Sequence, residues 1–200
     1  EWRNTKTNKH GKSIRPTGYG MENKNMIDYQ GLTNLPEINF KSKDRPALQE
    51  LAQYIDEMKS GLFNDKWSTA TKKHIKGSLA LYIRTMQKQL APNGAHYRAV
   101  EVDKQHLEHP IPQTKIITAY LHDKLTAEQV LQMPLCVIDD ADKHILENEW
   151  QTVATWEHPF KRYQQAGYTR TIKNVRGEVI NFSTWTLQDH FKMLGVVDTF

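Results

Sequence analysis

The chain has 200 residues, 38% hydrophobic and 25% charged, with a formal net charge of +4. That fits a polar globular protein with one good-sized core or two small ones, and no apolar run approaches the ~18 residues a membrane span needs. Arg3, Lys6, Lys9, Lys12 and Arg15 against Glu1 carry the whole net excess, so overall basicity is no argument for a nucleic-acid surface and any such argument must rest on local clustering.

Residues 1–25 are polar and nearly free of aliphatics, which predicts a flexible basic arm. A first residue of Glu rather than Met fits a processed chain or an excised part of a larger, delivered protein. Short apolar pieces broken by Gly31 and Pro36 predict extended wrapping segments over 26–43. A helix follows, with Asp44 as cap, Pro46 in its first turn and Leu48, Leu51, Ile55 and Met58 on one stripe, stopping at Gly61. A second helix starts from Ser68 and repeats Ile75, Leu79, Tyr82, Met86 and Leu90 up to the breaker cluster Ala91-Pro-Asn-Gly94. Together they predict a helical hairpin.

Beyond residue 95 the period changes. Tyr97–Val102 reads as a strand, and 114–133 as two helical pieces, the second opened by the capping-box form Thr126-Ala-Glu-Gln129 and closed by Pro134. Further strands are expected at 134–138, 150–156, 168–173 and 178–185, the last two flanking a hairpin loop at Asn174-Val-Arg-Gly177. The fold class is α+β: an N-terminal helical hairpin, then a mostly antiparallel sheet with one or two helices. The units are the arm at 1–25, a helical subdomain at 26–94 and a sheet domain at 95–200, or one continuous domain from 26 to 200. The lone cysteine, Cys136, lies in an apolar run and is expected to be an inert buried thiol with no disulfide.

The stretch "WEHPFKRYQQAGYTRTIK", residues 156–173, is the densest local collection of phosphate-handling side chains. Lys173 opposite Glu178 would put Tyr168, Arg170, Ile172, Asn181, Ser183 and Trp185 on one hairpin face, where Arg170 could clamp a phosphate while the aromatics stack on bases. Glu-His-Pro occurs twice, at 108–110 and 157–159. Proline holds each histidine extended, and the adjacent carboxylate can fix its tautomer, which suits His109 and His158 to acid–base work. The bland reading of the same residues is an ordinary polar sheet edge with surface turns. No metal set and no cofactor motif is present, although the run Asp139-Asp140-Ala-Asp142 leaves a metal-dependent nuclease as a third reading.

On Val100–Pro110, "LTAEQVLQMP" and the hairpin carrying Arg170, Lys173 and its Ser/Thr positions, residues 96–188 resemble in layout the barnase/EndoU/colicin/RelE-like ribonucleases of phages and polymorphic toxins. The resemblance implies metal-independent RNA cleavage by attack of the 2′-hydroxyl. His109 or His158 would be acid or base, Arg170 and Lys173 the clamp, and Ser183 or Thr184 a hydrogen-bonding partner. RNA is then the expected partner. The alternative is a non-catalytic binding or structural module, such as a virion or host-interaction protein, that docks a protein on the helices at 44–90.

Overall fold

The computed structural model describes residues 29, 31, 32, 35, 45–146 and 155–195. The basic arm at 1–25, the Asp44 cap and residues 150–154 of the strand expected at 150–156 lie outside the described residues, and 155–156 are not strand. Helices α1 (Arg45–Leu62) and α2 (Thr69–Leu90) form the expected pair. Ser68 caps α2, its side chain accepting from Thr71 N–H. Gly61 does not stop α1, which runs on to Leu62. The buried row of α2 is Leu79, Ile83 and Gln87, with Tyr82 and Met86 at its flank. The polar Gln87 is tolerated there because its amide nitrogen donates to the Val130 carbonyl at 2.7 Å and its oxygen meets His109 Nε2 at 3.0 Å.

After α2 a 3-10 turn at Pro92–Gly94, with Asn93 and Gly94 both at positive φ, reverses the chain into β1 (Tyr97–Ala99). Then come β2 (Gln105–Glu108), α3 (Gln113–Leu121), α4 (Ala127–Leu131) and β3 (Cys136–Asp139). The capping box of α4 forms in full, Thr126 accepting from Gln129 N–H and Gln129 reaching back to Thr126 N–H. A 3-10 segment (Asp140–Leu146), α5 (Lys161–Gln165), β4 (Ile172–Asn174) and α6 (Leu187–Met193) complete the described chain.

The fold is α+β with a four-stranded mixed sheet, ordered β2-β3-β1-β4. The β1–β3 pair is parallel, while β1–β4 and β2–β3 are antiparallel. Alternation along the strands sorts the sheet into two faces. Tyr97, Ala99, Cys136, Ile138 and Ile172 pack under Phe160, Tyr163, Tyr168 and Ile180, and Leu135 and Val137 face the other way onto Ala91 and Ala95. A third cluster joins α1 and α2 to α3, α4, Trp156, Leu187 and Phe191, so apolar packing crosses residue 94. Leu32 is buried in it, and Gly31 lies so close to the Glu157 backbone that a Cβ would sit 2.8 Å from its nitrogen. Among the described residues no helix is long and apolar enough to cross a membrane.

The two faces of α2 have a direct test. Ile83 is fully buried and Leu81 is 68% exposed. Ile83→Ala is expected to cost roughly 2–5 kcal/mol and Leu81→Ala less than about 0.5 kcal/mol, read as shifts in urea unfolding. Equal losses would contradict the assignment of the buried row.

Candidate nucleic-acid interface

Much of the stretch 156–173 folds inward. Trp156, Phe160, Arg162, Tyr163 and Tyr168 are all buried. Arg162 is only 1% exposed; its guanidinium donates to the Leu146 carbonyl at 3.2 Å, to the His109 carbonyl at 2.7 Å and to the Glu108 carboxylate. Tyr168 is no stacking platform, because its ring packs edge-on against Tyr163 and beside Phe182. Sequence periodicity hid this because its buried residues sit in turns around the short α5, where neither a 2.0 nor a 3.6 repeat develops.

The hairpin pairs one residue away from the expected register. Lys173 lies opposite Val179, and Asn174 N–H donates to the Glu178 carbonyl at 2.9 Å. The loop is therefore three residues, with Gly177 at φ 82 supplying the left-handed position that such loops require. The shift puts Ile180 in the core beside Ile172 and leaves Asn181 and Ser183 exposed. Among the described residues 178–185 form no strand beyond the bridge at Val179. Asn181 Oδ1 accepts from Ser183 N–H at 2.9 Å and from its hydroxyl at 2.6 Å, a local turn rather than a binding face. Thr184 is exposed beside it. Trp185 donates from Nε1 to the Tyr97 hydroxyl at 3.0 Å.

Arg170 is engaged inside the protein. Its Nε donates to Asp142 Oδ2 at 2.6 Å, its Nη2 lies 3.7 Å from Asp139 Oδ2, and Nη1 donates to the Glu101 carbonyl. The Asp142 carboxylate beside it raises its pKa further. A phosphate would have to displace both carboxylates. The acidic run is likewise committed to the protein. Asp139 accepts from Ala141 N–H and Asp103 N–H, and these bonds hold its carboxyl below the ordinary range. Asp140 pairs with Lys104 and Lys143. Among the described residues no group of three or more His, Cys, Asp or Glu side chains is placed to share a metal ion.

The two Glu-His-Pro histidines have different surroundings. His109 is buried, with Nε2 engaged by Gln87 Oε1, and burial pushes its pKa down to about 3, helped by Arg84 and Arg162. It is a neutral core histidine. His158 keeps a quarter of its side chain exposed, with Nε2 3.8 Å from Glu157 Oε1; its Nδ1 is buried without a hydrogen-bond partner. Two further histidines stack edge-on in the core, His96 and His190 at 4.9 Å. His190 Nε2 meets the Gln132 carbonyl at 2.7 Å and Nδ1 meets the Tyr97 hydroxyl at 2.8 Å. Burial holds both rings neutral, His190 at about 4.

Two cations outside these carboxylate pairings face each other on the sheet. The register places Arg98 of β1 directly opposite Lys173 of β4. Side chains opposite each other share a face, and like charges there repel. Arg98 is held by one bond, Nη2 to the Asn93 carbonyl at 3.2 Å. Neither cation has an ion pair among the described residues. They line a groove of about 380 Å³ with Pro92, Asn93, Val100, Asn174 and Val175, and no carboxylate lines it. Lys173 was legible as one member of the basic cluster. Arg98 was missed, because only the strand order brings it there.

With this geometry in hand, comparison with protein-family models, with curated proteins and with solved structures found no match to the chain.

The buried histidines fix the direction of a pH effect. Each folded pKa lies below the ~6.5 of an unfolded histidine. Below pH 6.5 the unfolded chain therefore takes up protons that the folded one excludes. Their contribution to stability is complete above pH 6.5 and is lost as the pH falls towards about 4 for His190 and about 3 for His109. The loss is roughly 1.4 kcal/mol per pH unit for each ring. The urea midpoint is expected to drop steeply between pH 6.5 and 4, and His109→Gln to flatten that slope by one ring's share. An unchanged slope in His109→Gln would mean that His109 protonates freely in the folded protein.

Proposed function

We propose that this is a nucleic-acid-acting protein that binds the phosphate backbone in the groove between β1 and β4. The observation that carries the reading is the Arg98–Lys173 pair: two cations face each other across an antiparallel ladder with no carboxylate in the groove they line. An anion between them relieves the repulsion and accepts from both. A phosphate diester is the anion that fits a groove with apolar walls at Pro92, Val100 and Val175 beside the charge.

Stability and binding should respond in opposite directions at this pair. Lys173→Glu places a carboxylate opposite Arg98 and is expected to stabilise the fold by about 0.2–1 kcal/mol. The same change should abolish binding of a fluorescein-labelled oligouridylate in an anisotropy titration, and Arg98→Ala should weaken it. Unaltered oligouridylate binding by Lys173→Glu, with the fold confirmed by circular dichroism, would refute the groove.

Cleavage of RNA is the second reading, and it rests on one residue. His158 is the Glu-His-Pro histidine whose ring reaches solvent, with Nε2 3.8 Å from the Glu157 carboxylate. With His109 neutral in the core, the acid–base pair that 2′-hydroxyl attack requires would need a different second member. Total RNA incubated with the protein in EDTA tests this: fragments formed by the natural protein and not by His158→Ala support cleavage, and intact RNA at high protein concentration leaves binding alone.

A further inference from the structure

The groove does not end at Arg98. At the end of α2 the Lys88 side chain lies against Gly94, within 3.9 Å of where a Cβ would stand. Gly94 follows Asn93, the residue whose carbonyl holds the Arg98 guanidinium. Gly94 stands between Asn93 and Ala95, which both line the groove, so Lys88 lies beside its rim. Along α2, Lys73, Arg84 and Lys88 fall within an arc of about 60°. All three are exposed, and none has an ion pair among the described residues. Between them the helix surface is low at Gly77, where an added Cβ would meet nothing within 4 Å. The 22 residues of α2 hold five Lys or Arg and no Asp or Glu, so nothing on the helix competes for the charge. Asp56 and Glu57 of α1 and Glu128 of α4 line a different concavity.

We infer that this row is a track for single-stranded nucleic acid, running from Lys73 along α2 to Lys88 and into the Arg98–Lys173 groove. The inference rests on the groove reading and extends it from a phosphate contact to an extended strand. Lys73 to Lys88 spans about 22 Å of helix at ~1.5 Å per residue. At ~3.4 Å per stacked nucleotide that covers about six nucleotides. A groove of about 380 Å³ takes one splayed nucleotide and not a duplex, which is why the strand is single.

The salt dependence of binding counts the cations involved. For single strands log K falls against log salt with a slope of about −0.7 per neutralised phosphate. The groove alone predicts about −1.4, and the groove with Lys73, Arg84 and Lys88 about −3.5. Labelled oligouridylates of three and twelve nucleotides, titrated with the full chain between 50 and 300 mM salt, separate the two. The natural protein is expected to bind the 12-mer at least ~10-fold more tightly than the 3-mer, with the steep slope. The triple variant Lys73→Ala, Arg84→Ala, Lys88→Ala, which keeps good helix formers at exposed positions, should bind the 3-mer as before and the 12-mer with the shallow slope. If that variant holds the 12-mer with unchanged affinity and slope while Arg98→Ala loses the 3-mer, the track is overturned and the groove stands. If the triple variant loses the 12-mer while Arg98→Ala leaves both oligonucleotides bound, the groove reading fails instead, and the continuous path with it. Tighter binding of a 12-bp duplex than of the 12-mer overturns the single-strand assignment. A concentration-dependent dimer in sedimentation that the triple variant dissolves, without any loss of 12-mer binding, makes the row a self-interface.

Discussion

The buried guanidinium of Arg162 is the interaction on which the C-terminal half depends. It reaches the carbonyls of Leu146 and His109 and the carboxylate of Glu108. Three separate parts of the chain are thereby fixed to α5: the end of the 3-10 segment, the end of β2, and the loop leading into α3. A charge this deep is costly unless it is fully paired, and removing one partner leaves an uncompensated ion. The Nε of Arg162 is left without a partner, so the bonds from its two Nη atoms carry the whole compensation. This constraint also decides the fate of the first Glu-His-Pro. Glu108 is drawn to the guanidinium, the His109 carbonyl is drawn with it, and the His109 ring is turned against Gln87 of α2.

Two groups of cations among the described residues have different consequences. Arg162, Arg170, Lys104 and Lys143 are matched to carboxylates at the β2–β3 side of the sheet, where Asp139, Asp140 and Asp142 gather at the end of β3. That side is electrostatically closed: its charges hold turns in place and offer a ligand little. Arg98, Lys173 and the row on α2 have no ion pair among the described residues. Because β1 lies between β3 and β4, Arg98 stands one strand away from the acidic end and shares its ladder with β4 instead. A sequence that is neutral over residues 21–200 thus folds into a surface that is not neutral locally. Charge available for a ligand is what remains after internal pairing, and net charge does not report it.

Local signals were legible wherever a short stretch settles its own conformation. The Ser68 cap, the Thr126–Gln129 capping box and the breaker at 91–94 all form as the sequence predicts. The capping form Thr186-Leu-Gln-Asp189 at the start of α6 was equally readable and was passed over, its helix being only seven residues long. What the sequence does not carry is the outcome of long-range competition. Arg170 has the composition of a phosphate clamp, and its engagement is decided by Asp142 and Asp139, some thirty positions away. Strand β2 has the pattern of a loop, and it exists because β3 offers it a full ladder from Gln105 to Glu108.

The hairpin shows how small a difference separates the two candidate sites. A four-residue loop would put Asn181 and Ser183 on the face of Arg170. The three-residue loop that forms needs one residue at positive φ, and Gly177 supplies it. That single step moves Ile180 inward, where it is 5% exposed, and leaves β4 free to pair with β1 on its other edge. Lys173 then has an apolar neighbour, Val179, on one side and a cation, Arg98, on the other. A lysine so placed finds no counter-charge from either strand. The same register that dismantles the Arg170 face therefore creates the Arg98–Lys173 groove, and the hydrophobic demand of Ile180 and Ile172 for a common core is what selects it.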